Sequence, residues 1–454
     1  MKFINRTAEL KKLLSCGDRS EGSFIVLWGR RRIGKTRLLL EWKEKTGGFY
    51  WVADESRSEI QRRFLAEQLN SIFPDFSAVE YPTWKSLLER LSTEAKSRGK
   101  RGPFIFDEFP YLVAGDASVS SVFQNWIDGP AKKANLIVAI AGSSQRMMHA
   151  IVLSKSAPLY GRAQSILKIE ALGFEHLHFL NHPSATDCVK FYSAFGGIPR
   201  YWELAQGVGT NVEGKIDELI LDPMGVLHME GKQLLLEEYK NSQLLKSVLE
   251  AIGSGSHRPS EVAARLNMKQ TSLSLAFTQL MEMDFVTREV PFGEKESSKK
   301  ALYKIKDPFL RFWYKIVSPN QSFLTYASKT QRVALLKKHF PSLCALGWEA
   351  ICRDQIVKME AVVTEAGRFW RKSELEWDLV CETEDALILG ECKWSENILQ
   401  RDKWLKHIKA MLVKPTPFAT QKKIRYMLFV PEAKSIDNDL VEIVTLAHMQ
   451  NVTA

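Results

Sequence analysis

Gly29-Arg30-Arg31-Arg32-Ile33-Gly34-Lys35-Thr36 fits the phosphate-binding pattern G-x-x-x-x-G-K-[ST] at every fixed position. The apolar run Phe24 to Trp28 before it suits a buried strand, and Arg37 to Lys43 after it has the leucine-rich periodicity of a helix. Strand, glycine-rich loop and helix N-terminus in that order make an anion cradle, because backbone N–H groups and the helix dipole both face phosphate oxygens. Gly29 and Gly34 permit the turn, Lys35 reaches the β and γ phosphates, and Thr36 offers a hydroxyl to Mg²⁺. Arg30, Arg31, Arg32, Ile33 and Arg37 complete the expected cofactor-binding stretch. ATP and Mg²⁺ are the cofactors it implies.

A second apolar run, Phe104, Ile105 and Phe106, ends in Asp107 and Glu108, as a buried strand does when it delivers carboxylates at its C-terminal edge. Asp107 would hold Mg²⁺ through water, and Glu108 would orient or deprotonate the water that attacks the γ phosphate. A third run, Leu136 to Ala141, ends at Gly142, Ser143 and Ser144, which suit either a γ-phosphate contact or a helix N-cap. Arg162 precedes the strand candidate Ser165 to Ile169 and reads either as an arginine finger or as an ordinary surface residue.

These residues, with Phe3 to Leu14 ahead of the loop and Gly196-Gly197-Ile198-Pro199 behind it, resemble the archaeal-type ATPase family within the AAA+/STAND group of P-loop NTPases. The resemblance implies a parallel sheet with helices on both faces and an entry segment around Phe3, Ile4 and Arg6 near the adenine.

The chain has 454 residues, which suggests roughly three domains. With 45% hydrophobic and 26% charged residues it is globular in composition, and no apolar stretch reaches membrane-spanning length. The N-terminus lacks the apolar core of a signal peptide. Cys16, Cys188, Cys344, Cys352, Cys381 and Cys392 form no C-x-x-C pair, so reduced thiols and a cytoplasmic location are expected. A net charge of +10 suits a polyanionic partner only when a motif stands beside it.

Residues 181–240 carry helical periodicity, as a lid after the core would. From 241 to 320 the apolar faces of three helices have helix-turn-helix spacing, with Ser260 capping the second and Lys269, Gln270, Ser272 and Ser274 opening the third. Two strand-like runs, Phe285 to Val290 and Ala301 to Ile305, then flank a tip bearing Lys295, Lys299 and Lys300. That charge suits phosphate contact, although such a fold also docks proteins.

In residues 321–454 the informative set is Glu349, Asp378, Glu391 and Lys393. Strand alternation sends Glu391 and Lys393 to one face, and a hairpin brings Asp378 beside them. Three acids and a lysine would then converge, with Asp378, Glu391 and the Cys392 carbonyl holding Mg²⁺, Lys393 positioning a water and Glu349 supporting the site. The pattern resembles the PD-(D/E)xK restriction-endonuclease-like superfamily, with Trp377 where the name has proline; a salt-bridged structural remnant is the alternative. A basic helix from Glu396 to Met411 follows, with Arg401, Lys403, Lys406, His407 and Lys409.

The expected fold is α/β: a P-loop AAA+-like parallel sheet core (1–180), a helical lid (181–240), a winged helix (241–320) and a restriction-endonuclease-like α/β domain (321–454). The expected activity is ATP hydrolysis coupled to DNA binding and metal-dependent cleavage, or else a nucleotide-dependent switch that cuts nothing. DNA is the expected partner, with a second copy or another protein beside it and no membrane.

Overall fold

The computed structural model describes residues 6–17, 21–180, 184–239, 242–371, 375–395, 401–418, 420–433 and 439–453. Phe3, Ile4 and the Glu396 to Gln400 start of the basic helix lie outside them. The chain divides into two compact units: Met1–Ala171 with Ile198–Arg200, and Leu172–Gly197 with Tyr201–Ala454.

In the first unit, β1 (Ser23–Trp28), β2 (Phe49–Val52), β3 (Phe104–Asp107), β4 (Ile137–Gly142) and β5 (Ser165–Lys168) make one sheet in the order β2-β3-β4-β1-β5. Every pairing is parallel. Parallel strands covered on both faces read as continuous apolar runs, and β4 accordingly buries all of its residues. The core gathers Phe24, Val26, Trp51, Phe104 and Phe106 from the sheet with Leu88 and Trp126 from flanking helices. Because all strands run one way, the loops after β1, β3 and β4 share one edge, where ligands of such sheets bind. The strand β2 was not anticipated.

The second unit contains the helices Ala185–Phe195, Pro199–Gln206 from Tyr201 onward, Val212–Ile216 and Glu230–Glu238. They lie in the 181–240 segment expected to form a lid. Arg332, on the long helix Lys329–Met359, bonds Asp217 at 2.6 and 3.1 Å and Asp222 at 2.8 Å, and Trp313 Nε1 donates to the His228 carbonyl at 2.7 Å. Breaking such buried ties leaves charges without partners, which is costly, so these helices fold with the C-terminal half.

Three helices, Gln243–Gly253, Pro259–Arg265 and Ser274–Glu282, precede an antiparallel hairpin of β6 (Val286–Glu289) and β7 (Leu302–Ile305). Ser260 does not cap the second helix. Pro259 occupies its first turn, and Glu261 Oε2 accepts the N–H groups of His257 at 2.8 Å and Arg258 at 3.0 Å. The hairpin tip exposes Lys295 and Lys299, while Lys300 pairs with Glu294. Its base is fastened: Phe292 is buried, stacks on Phe418 with 5.7 Å between centroids, and donates its N–H to the Arg368 carbonyl at 2.8 Å.

Arg368 belongs to β8 (Val363–Arg371) of a second sheet, with β9 (Leu375–Thr383), β10 (Ala386–Cys392), β11 (Lys423–Phe429) and β12 (Val441–Val444). The order is β12-β11-β10-β9-β8, antiparallel from β8 to β10 and parallel from β10 to β12. The basic helix spans Arg401–Leu412. Among the described residues no helix is long and apolar enough to cross a membrane.

Candidate functional site

The loop between β1 and the helix Lys35–Thr46 has the backbone its glycines allow. Gly29 has φ +149°, and a Cβ there would stand 2.5 Å from the Ile169 carbonyl oxygen, so no other residue fits without moving β5. Gly34 turns with φ +97°, and Pro199 of the first unit lies 4.0 Å from its Cβ position. Arg32 is left-handed at φ 65°. Lys35 is buried and donates to the carbonyls of Gly29 at 2.8 Å and Arg30 at 3.0 Å, which keeps its ammonium in the mouth of the loop. Arg31 donates to the Tyr111 hydroxyl at 2.8 Å, and Thr36 and Arg37 are exposed. Arg6 is buried and ties the loop to the end of β5, donating to the carbonyls of Ile33 at 3.1 Å and Glu170 at 2.6 Å.

Across the same edge Asp107 is 1% exposed and satisfied on both oxygens. Oδ2 accepts the Thr36 hydroxyl at 2.9 Å and the Tyr50 hydroxyl at 2.8 Å; Oδ1 accepts the Glu108 N–H at 2.9 Å. Burial and then the Asp107 carboxylate push the Tyr50 phenol well above its ordinary value, so it stays a donor. Glu108 has a left-handed backbone at φ 52°, and its Oε2 accepts Ser143 Oγ at 2.8 Å and Ser143 N at 3.2 Å. The two serines divide the roles left open by the sequence: Ser143 holds Glu108, and Ser144 caps the helix Gln145–Met148 by accepting the Met147 N–H.

The hydroxyl of Thr36 and the carboxylate of Asp107 are hard oxygen donors in direct contact beside a phosphate cradle. This donor set fits Mg²⁺, which takes one or two protein oxygens and completes its shell with phosphates and water.

Arg162 precedes β5, so it lies at the sheet edge opposite the loop, where it donates to Asp128 Oδ2 at 2.9 Å and to the Pro158 carbonyl at 2.9 Å. It does not reach its own chain's phosphate site.

In the second unit β9 and β10 pair with Leu379 opposite Gly390, which sets Asp378 beside Glu391. Asp378 Oδ2 accepts the Cys392 N–H at 3.0 Å and stands 3.7 Å from Lys393 Nζ. Lys393 donates to Glu391 Oε2 at 2.6 Å, and Lys414 pairs with Oε1 of the same carboxylate. Burial alone would lower the Lys393 ammonium, but Glu391 and Asp378 outweigh it and hold its pKa above the ordinary value. Glu349, on the helix Lys329–Met359, is half-buried; its Oε2 is shielded from solvent and has no hydrogen-bond partner among the described residues, with Arg353 3.7 Å away.

Asp378 and Glu391 meet Lys393, but among the described residues no three His, Cys, Asp or Glu stand together as a metal-holding group. Glu391 is engaged by two ammoniums, so Asp378 and Glu391 as arranged do not fit a Mg²⁺ ion, and no step is routed through one there.

Comparison with known proteins agrees with the first unit. Residues 3–204 match a family model described as "ATPase domain predominantly from Archaea", and residues 313–408 match one described as "Archaea bacterial proteins of unknown function". The N-terminal part is therefore similar to an ATPase-domain family over the residues that form the parallel sheet and the glycine-rich loop. The chain is 29% identical over 405 residues to "Uncharacterized protein MJECL04" of Methanocaldococcus jannaschii, covering 87% of this chain and 88% of that protein. The Walker-type ATPase PABY2304 of Pyrococcus abyssi superposes with a TM-score of 0.54 at 18% identity, over 69% of this chain and 96% of that one. That likeness concerns the fold.

Sequence reasoning missed Tyr50, although Phe49-Tyr50-Trp51-Val52 after two glycines carries a β-type aromatic pattern. It also missed Lys414, which follows β10 by more than twenty residues and is placed only by tertiary structure.

Glu349 yields a pH prediction. Burial first and then Asp378 raise its carboxyl above the usual glutamate range, with partial offset from Arg368, Arg353 and Lys304. A folded pKa above the unfolded one contributes stability below the unfolded value, and that contribution is lost as pH rises through the folded value. Denaturant unfolding of Glu349→Gln between pH 4 and 8 should therefore show a shallower fall of stability than the wild type on the alkaline side; an equal slope would rule this out.

Proposed function

We propose that this chain is a Mg²⁺-dependent ATPase whose nucleotide state governs DNA binding by the second unit. The contact between Thr36 and Asp107 carries the reading, because it joins the helix that opens the phosphate cradle to the strand that delivers the acids. Thr36 and Asp107 would hold Mg²⁺, which when bound neutralises charge on the β and γ phosphates. The N–H groups from Gly29 to Lys35 bind the phosphate oxygens, and Lys35 exchanges the carbonyls of Gly29 and Arg30 for phosphate. Glu108, released from Ser143, orients the attacking water and takes its proton.

Lys35→Ala should abolish nucleotide binding in calorimetry, and Glu108→Gln should bind ATP yet hydrolyse it at least about 100-fold more slowly, as loss of a general base does. Normal turnover in both variants would defeat the assignment.

The DNA part rests on the three helices and basic hairpin of the second unit, whose arrangement supports a winged-helix reading. Lys295 and Lys299 are then phosphate contacts, independent of base sequence. Fluorescence anisotropy with duplex DNA should show Lys295→Ala/Lys299→Ala binding more weakly, with a salt slope smaller by about 2. An unchanged slope would favour a protein partner at this tip.

DNA cleavage is a second reading, favoured by the meeting of Asp378, Glu391 and Lys393 at one end of β9 and β10, and it requires Glu391 to leave Lys393 and Lys414 before those acids could hold a metal. The ion pairs on Glu391 support the other outcome, a switch that binds without cutting. Plasmid incubated with ATP and Mg²⁺ or Mn²⁺ separates the two. Nicking by the wild type and not by Lys393→Ala supports cleavage, and intact plasmid with both leaves the switch.

A further inference from the structure

Tyr50 takes no part in the phosphate chemistry described above, yet it sits on the carboxylate at its centre. It lies on β2, where Phe49 and Trp51 turn into the core while Tyr50 is half-buried. The parallel register of β2 and β3 sets Tyr50 opposite Ile105 and Val52 opposite Asp107, so the Tyr50 side chain runs along the sheet edge toward the acid. Its hydroxyl meets Asp107 Oδ2 at 2.8 Å, on the same oxygen that Thr36 contacts at 2.9 Å.

Two donors on Oδ2 and the Glu108 N–H on Oδ1 fix the carboxylate plane. A group that orients a metal-holding carboxylate from behind alters metal affinity by about 10- to 100-fold when removed, although it never touches the metal. A tyrosine kept only to fill the sheet edge would be replaced by phenylalanine with no metal-dependent consequence.

We propose that Tyr50 is a positioning residue for the metal–nucleotide complex: its hydroxyl aims Asp107 so that the chain prefers Mg²⁺-bound nucleotide over nucleotide alone. This rests on the P-loop reading above. Tyr50→Phe keeps the ring and removes only the donor. The core contacts of Phe49 and Trp51 stay, so the fold is retained.

The test is calorimetric binding of ADP to the full chain, in EDTA and across a Mg²⁺ titration, for wild type, Tyr50→Phe, Asp107→Asn and the double variant. Tyr50→Phe should bind ADP in EDTA as the wild type does and need about tenfold more Mg²⁺ to reach its tight-binding state. In the Asp107→Asn background the same change should add nothing, because the hydroxyl acts through that carboxylate. An unshifted Mg²⁺ midpoint, an equal loss of affinity with and without Mg²⁺, or additive effects in the double variant would each overturn the assignment. A wild-type chain that binds ADP under neither condition would overturn the nucleotide reading itself, which is a separate result.

Discussion

The Asp107 carboxylate ties the first unit together. Thr36, Tyr50 and Glu108, on three different segments, all donate to it, and it is almost wholly removed from solvent. A buried carboxylate is costly unless its lone pairs are satisfied, so separating β3 from the loop or from β2 would expose that cost. Glu108 takes its left-handed backbone directly after this anchor. For a non-glycine residue that conformation costs on the order of 1 kcal/mol, an amount comparable to one charge-assisted hydrogen bond such as the one from its own N–H to Asp107.

Where a strand ended in chemistry, the sequence disclosed it. The runs closing at Gly29, Asp107 and Gly142 became β1, β3 and β4, because buried parallel strands must be apolar throughout and their C-terminal ends then carry the first polar groups. The strand β2 ends in no such group, and its four residues between helices are too few for periodicity to separate strand from helix. Tyr50 was hidden with it. The placement of Arg162 was within reach of the sequence: a residue just before a parallel strand stands at the edge opposite the loop after β1, whatever its charge.

In the second unit, alternation correctly put Glu391 and Lys393 on one face, since a period of two is a property of the backbone alone. Which cation closes on the other oxygen is not local information. Lys414 reaches Glu391 from the chain beyond the basic helix, and its ammonium also sits 4.4 Å above the ring centroid of buried Trp377. The division into two units has the same kind of cause. The helices after residue 172 are claimed by Arg332, Trp313 and the Tyr201 hydroxyl, which donates to Glu230 at 2.7 Å. Charge and aromatic donors so far apart in sequence give no periodic signal.

The basic hairpin shows how such long-range contacts bear on function. A surface loop of lysines is ordinarily free to reorient, but here Phe292 enters the core of the second sheet beside Phe369 and Trp377. Withdrawing a phenylalanine from such a site costs about 2 to 3 kcal/mol in lost burial, before the bond to the Arg368 carbonyl is counted. Glu289 and Lys304, paired at 2.5 Å on the two hairpin strands, add a second fastening: burial raises the Glu289 carboxyl, but Lys304 first and then Arg353 and Arg368 outweigh it and hold its pKa below the usual glutamate range. The base of the hairpin is thereby held to β8, and the hairpin and the Asp378–Glu391–Lys393 cluster belong to one compact unit.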